Sequence, residues 1–319
     1  MANPKSWVSM QDQLILLKQR GLLIDNEPAA LNYLARIGYY RLSGYWYPFR
    51  EIDKANSAQQ KHPIRSSRFI ADSHFEDVVK LYVFDKKLRL LALDALERVE
   101  MSVRVDVAHL LGQKEPYAHE NPACLHGNFA KKVKSTGPRQ GHTEHQVWLD
   151  RYNAMLQRSR REPFIAHHNK KYGGRVPVWA AIEVWDFGLL SRLFEGMQFH
   201  DKNLIAKKYG LDEGATLSKW LRSLNFIRNV SAHHSRLWNI NVLESSPLPP
   251  RWPDMKNNKP YMYFAMMSHL LAVICPNSTW SQRLIDLLND CPDSKNGVLT
   301  LNDFGVCPGW DAHLLQGQK

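Results

Sequence analysis

Arg228, Asn229 and His233, in the run RNVSAHH, have the residue types and spacing for phosphodiester chemistry. A histidine titrates near neutrality and exchanges protons there, while an arginine stays charged and grips a phosphate with parallel donors. RNA carries its own nucleophile, the 2′-hydroxyl, so a base, an acid and a cation complete its cleavage and no metal or other cofactor is needed. Asn229, four residues before His233, shares its helix face and is suited to orient the histidine or the substrate. His234 is a second titratable group in the same turn, ranked behind His233. The competing reading is structural, since histidines pack more often than they catalyse.

These residues end the stretch LSKWLRSLNFIRNVSAHHSRLWN, in which Leu217, Trp220, Leu221, Leu224 and Ile227 form one apolar stripe of a helix. Arg228 falls on that stripe, where a guanidinium must be paired, set in a cleft or used on an anion. Arg228 and His233 are five residues apart, about 140° around an ideal helix. Three arrangements bring them together: the arginine wraps round, the weak helix formers between them loosen the turn, or two chains share the site. Sharing is favoured on chemical grounds, because one Arg–His set supplies half of what cleavage needs. A two-fold dimer, the commonest assembly, supplies two histidines and two arginines.

The elements that must hold this stretch read as helices. Residues 7–36 give two, and the Ser73-x-x-Glu76 capping box opens the longest, 75–111, about 55 Å if unbroken. On it Asp94 with Arg98 and Glu100 with Arg104 stand at i,i+4. Either is an ordinary surface pair, or Glu100 and Arg104 face Arg228 as accessory groups. Pro177 opens a helix with Trp179, Ile182, Trp185, Leu189 and Leu193 on its buried side, and its Glu183 is a second candidate partner for Arg228. Further helices are expected at 144–160, 199–209, 261–274 and 279–290. Residues 51–72 read as an irregular loop, as does 112–143 apart from short helical pieces, and His167-His168 falls in a loop-like setting. No strand ladder is evident, so the fold class is all-α. The organisation expected is an N-terminal helical segment (1–72), a helical core (73–245), and a linker with C-terminal helices (246–319).

With 42 Lys+Arg against 31 Asp+Glu, the chain carries a net charge of +11, which suits a polyanion. RNA-binding candidates are Arg41, Tyr45, Trp46 and Arg50 in the aromatic run IGYYRLSGYWYPFR, Lys131, Lys132 and Lys134, and Arg158, Arg160 and Arg161. Core packing competes for the aromatic run, and a solvated face for the charge runs. No apolar run spans a bilayer and the N-terminus lacks a signal peptide's core, so a cytoplasmic protein without membrane contact is expected. The four cysteines show no metal-ligand or disulfide spacing, and His119, Cys124, His126, His142 and His145 fit no standard zinc pattern.

Four blocks in order, LKQRGLLIDNEPAALNYLARIGYYRLSGYWYPFR, FEDVVKLYVFDKKLRLLALDALERVEMSVR, PVWAAIEVWDFGLLSRLF and RNVSAHHSRLWN, resemble Abi-like abortive-infection proteins of the AbiD/AbiF type, in the HEPN superfamily. The resemblance implies a HEPN-like helical bundle with N- and C-terminal helical extensions, a homodimer or pseudo-dimer, and a metal-independent endoribonuclease leaving 2′,3′-cyclic phosphate ends. Its catalytic Arg, polar residue and His fall on Arg228, Asn229 and His233. Through the kinship proposed for type VI CRISPR effectors, it also implies a structured non-coding RNA as partner. A catalytically silent RNA-binding scaffold is the alternative, and a DNA-binding protein a third.

Overall fold

The computed structural model describes residues 6–57, 64–250 and 252–315. The chain opens with α1 (Met10–Gln19), α2 (Glu27–Ile37) and α3 (Tyr39–Trp46). Ser9 and Asn26 cap the first two, accepting from the N–H groups of Asp12 and Ala29, and Pro28 sits in the first turn of α2. Gly38, at φ 90°, turns the chain between α2 and α3 in a conformation that favours glycine.

Next come β1 (Arg50–Ile52), α4 (Lys54–Ser57) and β2 (Arg65–Phe69). β1 and β2 pair antiparallel, with Arg50 opposite Phe69 and Ile52 opposite Arg65, where the sequence predicted only a loop. Neither REI nor RSSRF alternates apolar and polar residues, so neither announces a strand. The pairing is held from outside the strands: Phe69 is buried and the Arg65 guanidinium donates to the Pro48 carbonyl at 2.8 Å. Residues 58–63 of the expected loop lie outside the described residues.

The spine is α5 (Phe75–Lys114), 40 residues and about 60 Å long. It begins where the capping box predicts, but the cap differs. His74 occupies the N-cap, and the Ser73 hydroxyl donates instead to the Ile70 carbonyl at 2.6 Å. Buried Leu81, Leu88, Ala95, Val99, Val103 and Leu111 mark its inner side, and each fully buried valine or leucine contributes about 1.5–3 kcal/mol. α3 packs against it from the N-terminal side.

Beyond α5, α6 (Gly127–Ala130) interrupts the long loop, and α7 (Glu144–Arg158) starts from a reciprocal Thr143–Gln146 capping box. α8 (Pro163–Lys171) takes up His167 and His168, expected in a loop. The helix predicted from Pro177 is broken: α9 (Val178–Ala181) tightens into a 3-10 turn ending at Val184, and α10 (Phe187–Gly196) starts afresh. Asp186 causes the restart, its Oδ1 accepting from the Leu189 N–H at 2.7 Å. Trp185 stays extended and buried among Trp148, Tyr152 and His119, whereas Trp179, predicted to be buried, is exposed.

α11 (Phe199–Lys208) and α12 (Gly214–Ala232) follow, then α13 (Pro260–Ile274), α14 (Trp280–Asn289) and α15 (Trp310–Leu315). α12 lies between α5, α10, α11 and α13, while α13 and α14 also pack on the spine. Gly214 permits the close approach of α12 to α11, since a Cβ there would stand 2.3 Å from Lys202 Cβ. The described chain is thus mostly helical, an all-α fold with one small two-stranded sheet. Among the described residues no helix is long and apolar enough to cross a membrane.

Candidate active site

The candidate catalytic stretch is held at its far end by a buried ionic network. Asp85, fully buried on α5, accepts from the backbone N–H groups of Leu237 and Trp238 at 3.0 and 2.7 Å, and from the Tyr45 hydroxyl at 2.6 Å. Arg89, one turn on, donates to the same carboxylate and to Tyr45 Oη at 3.1 Å. Burial pushes the Asp85 carboxyl up, and the Arg89 guanidinium with the three uncharged donors pulls the other way. The network therefore ties α3, α5 and residues 237–238 to one carboxylate.

At its near end the stretch is a regular helix. α12 continues through Arg228 and Asn229 to Ala232, and His233 is its C-cap. The loosened turn allowed by the sequence does not occur, so Arg228 and His233 remain on different helix faces. His234 adopts φ 58°, its N–H donating to the Ser231 carbonyl (3.2 Å) and that of Ser235 to the Val230 carbonyl (2.9 Å). These are the two bonds of a Schellman turn, with a histidine where glycine is usual, at a cost of about 1–2 kcal/mol. Arg41 donates to the His234 carbonyl and Arg236 to that of Gly44, which fastens the turn to α3. His233 and His234 are both exposed.

Arg228 donates to Asn229 Oδ1 at 3.4 Å, yet the two residues line different hollows. Arg228 enters one of about 470 Å³ with Leu93, Asp94, Glu97 and Glu100. Glu100 pairs with Arg104 at 2.5 Å, and Arg104 also donates to the Trp185 carbonyl freed by the break before α10. Burial pushes the Glu100 carboxyl up, while Arg104 and Arg228 draw it down. Of the two carboxylates considered from sequence as partners for Arg228, Glu100 faces it and Glu183 is turned to solvent. Asn229 enters a cleft of about 510 Å³ with Arg139, Arg151, Arg192, Arg222 and Asn225. Three of those arginines are paired, to Asp186, Glu144 and Glu244, while Arg139 has no ion-pair partner among the described residues. No motif marks this cleft, because its arginines come from distant segments.

Of the RNA-binding candidates, Tyr45 and Trp46 are buried, so neither ring can receive a base, and core packing claims them. Arg50 is half-buried and Arg41 exposed. Lys131, Lys132, Arg158, Arg160 and Arg161 are exposed, while Lys134 pairs with Glu144 at 2.7 Å.

The histidines of 112–145 are dispersed. His126 caps α6, His145 Nε2 lies 2.8 Å from the His119 carbonyl, and among the described residues no three His, Cys, Asp or Glu side chains group as a metal site requires. His119 is fully buried edge-on to Trp148 and Tyr152, and burial pushes its pKa down to about 3. Its ordinary value is near 6.5, so below that pH the unfolded chain binds a proton that the folded chain refuses. The associated stability is whole above pH 6.5 and falls by up to roughly 1.4 kcal/mol per pH unit as pH drops toward 3. Urea unfolding at pH 7 and pH 4.5 should show an acid loss about 2–3 kcal/mol larger for the native chain than for His119→Phe. Equal losses would refute the assignment.

A family model described as Abi-like protein matches residues 32–239. No curated protein and no solved structure matches the chain. The matched span takes in α3, all of α5, and α12 with the turn that carries His233 and its Asp85 anchor. It covers well over half of the 319 residues, and the chain belongs to the Abi-like protein family.

Proposed function

We propose that this Abi-like protein serves abortive-infection defence against phage as a metal-independent endoribonuclease of HEPN type, acting in the cytoplasm as a homodimer. The observation that carries this reading is the placement of Arg228, Asn229 and His233 at the end of α12, with His233 exposed on a turn fastened to α3 and followed by backbone anchored to α5. One histidine takes the proton of the 2′-hydroxyl as O2′ bonds to phosphorus, and the histidine of a second copy protonates the departing 5′ oxygen. The two Arg228 groups steady the pentacovalent phosphate, and Asn229 orients substrate or histidine. The products are a 2′,3′-cyclic phosphate and a 5′-hydroxyl.

A second copy has a surface to occupy. Along α5, Val83, Leu90, Met101 and Val105 expose apolar side chains on the side that carries Leu93 and Glu97 of the Arg228 hollow. Glu97, Glu100 and Asp94 around Arg228 also favour the alternative, an RNA-binding scaffold without activity, because an arginine facing carboxylates is partly neutralised for phosphate.

The product ends decide between them. Incubated with structured RNA in excess chelator, the protein is expected to yield fragments with 2′,3′-cyclic phosphate and 5′-hydroxyl termini. Fragments bearing 5′-phosphate, or a requirement for added divalent cation, would overturn the mechanism.

A further inference from the structure

Outside the candidate active site, the described surface has a groove of about 830 Å³ between α1, α3, β1 and β2. Arg20, Arg50 and Arg65 line it together with Tyr39, Tyr40 and Tyr47, and among the described residues no carboxylate does. Tyr40 is 92% exposed and Tyr47 is 42% exposed. The Arg20 guanidinium donates to the Tyr39 hydroxyl at 3.0 Å, and the Arg65 guanidinium lies 5.9 Å from the Tyr47 ring centre. Arg50 keeps its Nε buried without a hydrogen-bond partner, and burial pulls its pKa below the usual arginine value.

We infer that this groove binds a segment of single-stranded RNA, with bases stacked on Tyr40 and Tyr47 and phosphates set against Arg20, Arg50 and Arg65. Three guanidinium groups without a lining carboxylate make the groove an anion site, and its volume far exceeds a lone phosphate. Open rings between the cations supply stacking platforms, the pattern by which single strands are held without reading their sequence. A duplex keeps its bases stacked inside and has none to offer Tyr40.

The groove also adjoins the proposed catalytic turn. α3 presents Tyr39, Tyr40 and Ser43 to the groove, while its Arg41 and Gly44 hold the carbonyl of His234 and the guanidinium of Arg236. The two sites lie on either side of one helix, about 10 Å across. A strand anchored in the groove is thereby delivered to His233. The choice of RNA over other single strands rests on the ribonuclease reading; stacking and phosphate contacts rest on the groove.

The test is binding, read in the His233→Ala background so that cleavage does not intrude. Anisotropy of a fluorescein-labelled 12-nucleotide oligo(U) should show at least a tenfold loss of affinity for Tyr40→Ala, a larger loss for Tyr40→Ala with Tyr47→Ala, and near-native affinity for Tyr40→Phe. Both rings are exposed, so circular dichroism should be unchanged. Affinity for duplex RNA of equal length should not respond to Tyr40. Unchanged oligo(U) affinity in the double variant, or an equal loss for duplex, would overturn the proposal. Equal affinity for oligo(dT) would overturn the assignment to RNA. All of these outcomes are independent of whether the native chain cleaves RNA, so the groove and the nuclease stand or fall separately.

Discussion

His233→Ala is expected to lower RNA cleavage by about 10²–10⁴-fold, the usual contribution of a positioned general acid or base. Arg228→Ala should cost about 10²–10³-fold, the range for removing one group that stabilises transition-state charge. Because His233 is exposed at the C-cap, its replacement leaves the core untouched and the melting temperature close to native. In a shared site each phosphate draws on both copies, so a mixed dimer of native and His233→Ala chains should be nearly inactive rather than half active. Differently tagged chains, co-purified and assayed on RNA, measure this. Half activity would place a complete site in one chain. If cleavage and phage protection both survive His233→Ala and Arg228→Ala, the ribonuclease reading fails and the RNA-binding scaffold takes its place.

Asp85→Ala should produce the largest loss of stability, about 3–5 kcal/mol. The carboxylate is fully buried with Arg89 and accepts the N–H groups of Leu237 and Trp238. Its removal strands a buried guanidinium and leaves two backbone donors without their acceptor. Since whole domains are stable by only about 5–15 kcal/mol, the loss would be a large share of the total. Urea unfolding of Asp85→Ala, Arg89→Ala and the double variant should show a double loss smaller than the sum of the singles by more than 1 kcal/mol. Strict additivity would mean that the pair does not act as a unit. Where Asp85→Ala still folds, it should also cleave RNA more slowly, because the chain beyond His233 has lost its anchor to α5.

Much of the helical frame was legible in the chain. The three- and four-residue spacing from Leu81 to Leu110 gave α5 within a few residues, and the stripe from Leu217 to Ile227 gave α12. Such signals are local, because one helix face must bury itself whatever it packs against. The signals failed where a single capping side chain or a distant partner decided. Asp186 starts a new helix where periodicity ran on unbroken through Trp185, and Ser73 turned its hydroxyl to Ile70 although its spacing to Glu76 fits a capping box. β1 and β2 have no pattern of their own and form because the chain around them is already fixed.

The same division runs through the candidate site. Residue type and spacing alone singled out Arg228, Asn229 and His233, since proton transfer and phosphate binding are properties of individual side chains. Their surroundings needed the third dimension. That Arg228 faces Glu100 while Asn229 opens onto a cleft of four arginines follows from the packing of α12 against α5 and α10. Asp85 and Arg89 stand one turn apart on the buried side of α5, but the backbone that Asp85 holds lies more than 150 residues further along the chain. The aromatic run 37–50 likewise divided by helix face, with Tyr45 and Trp46 buried and Tyr40 and Tyr47 left open. The sequence by itself determined which chemistry the chain can carry and the helices that carry it. Tertiary structure decided which charges meet and which rings face solvent, because those depend on contacts between residues that the chain keeps far apart.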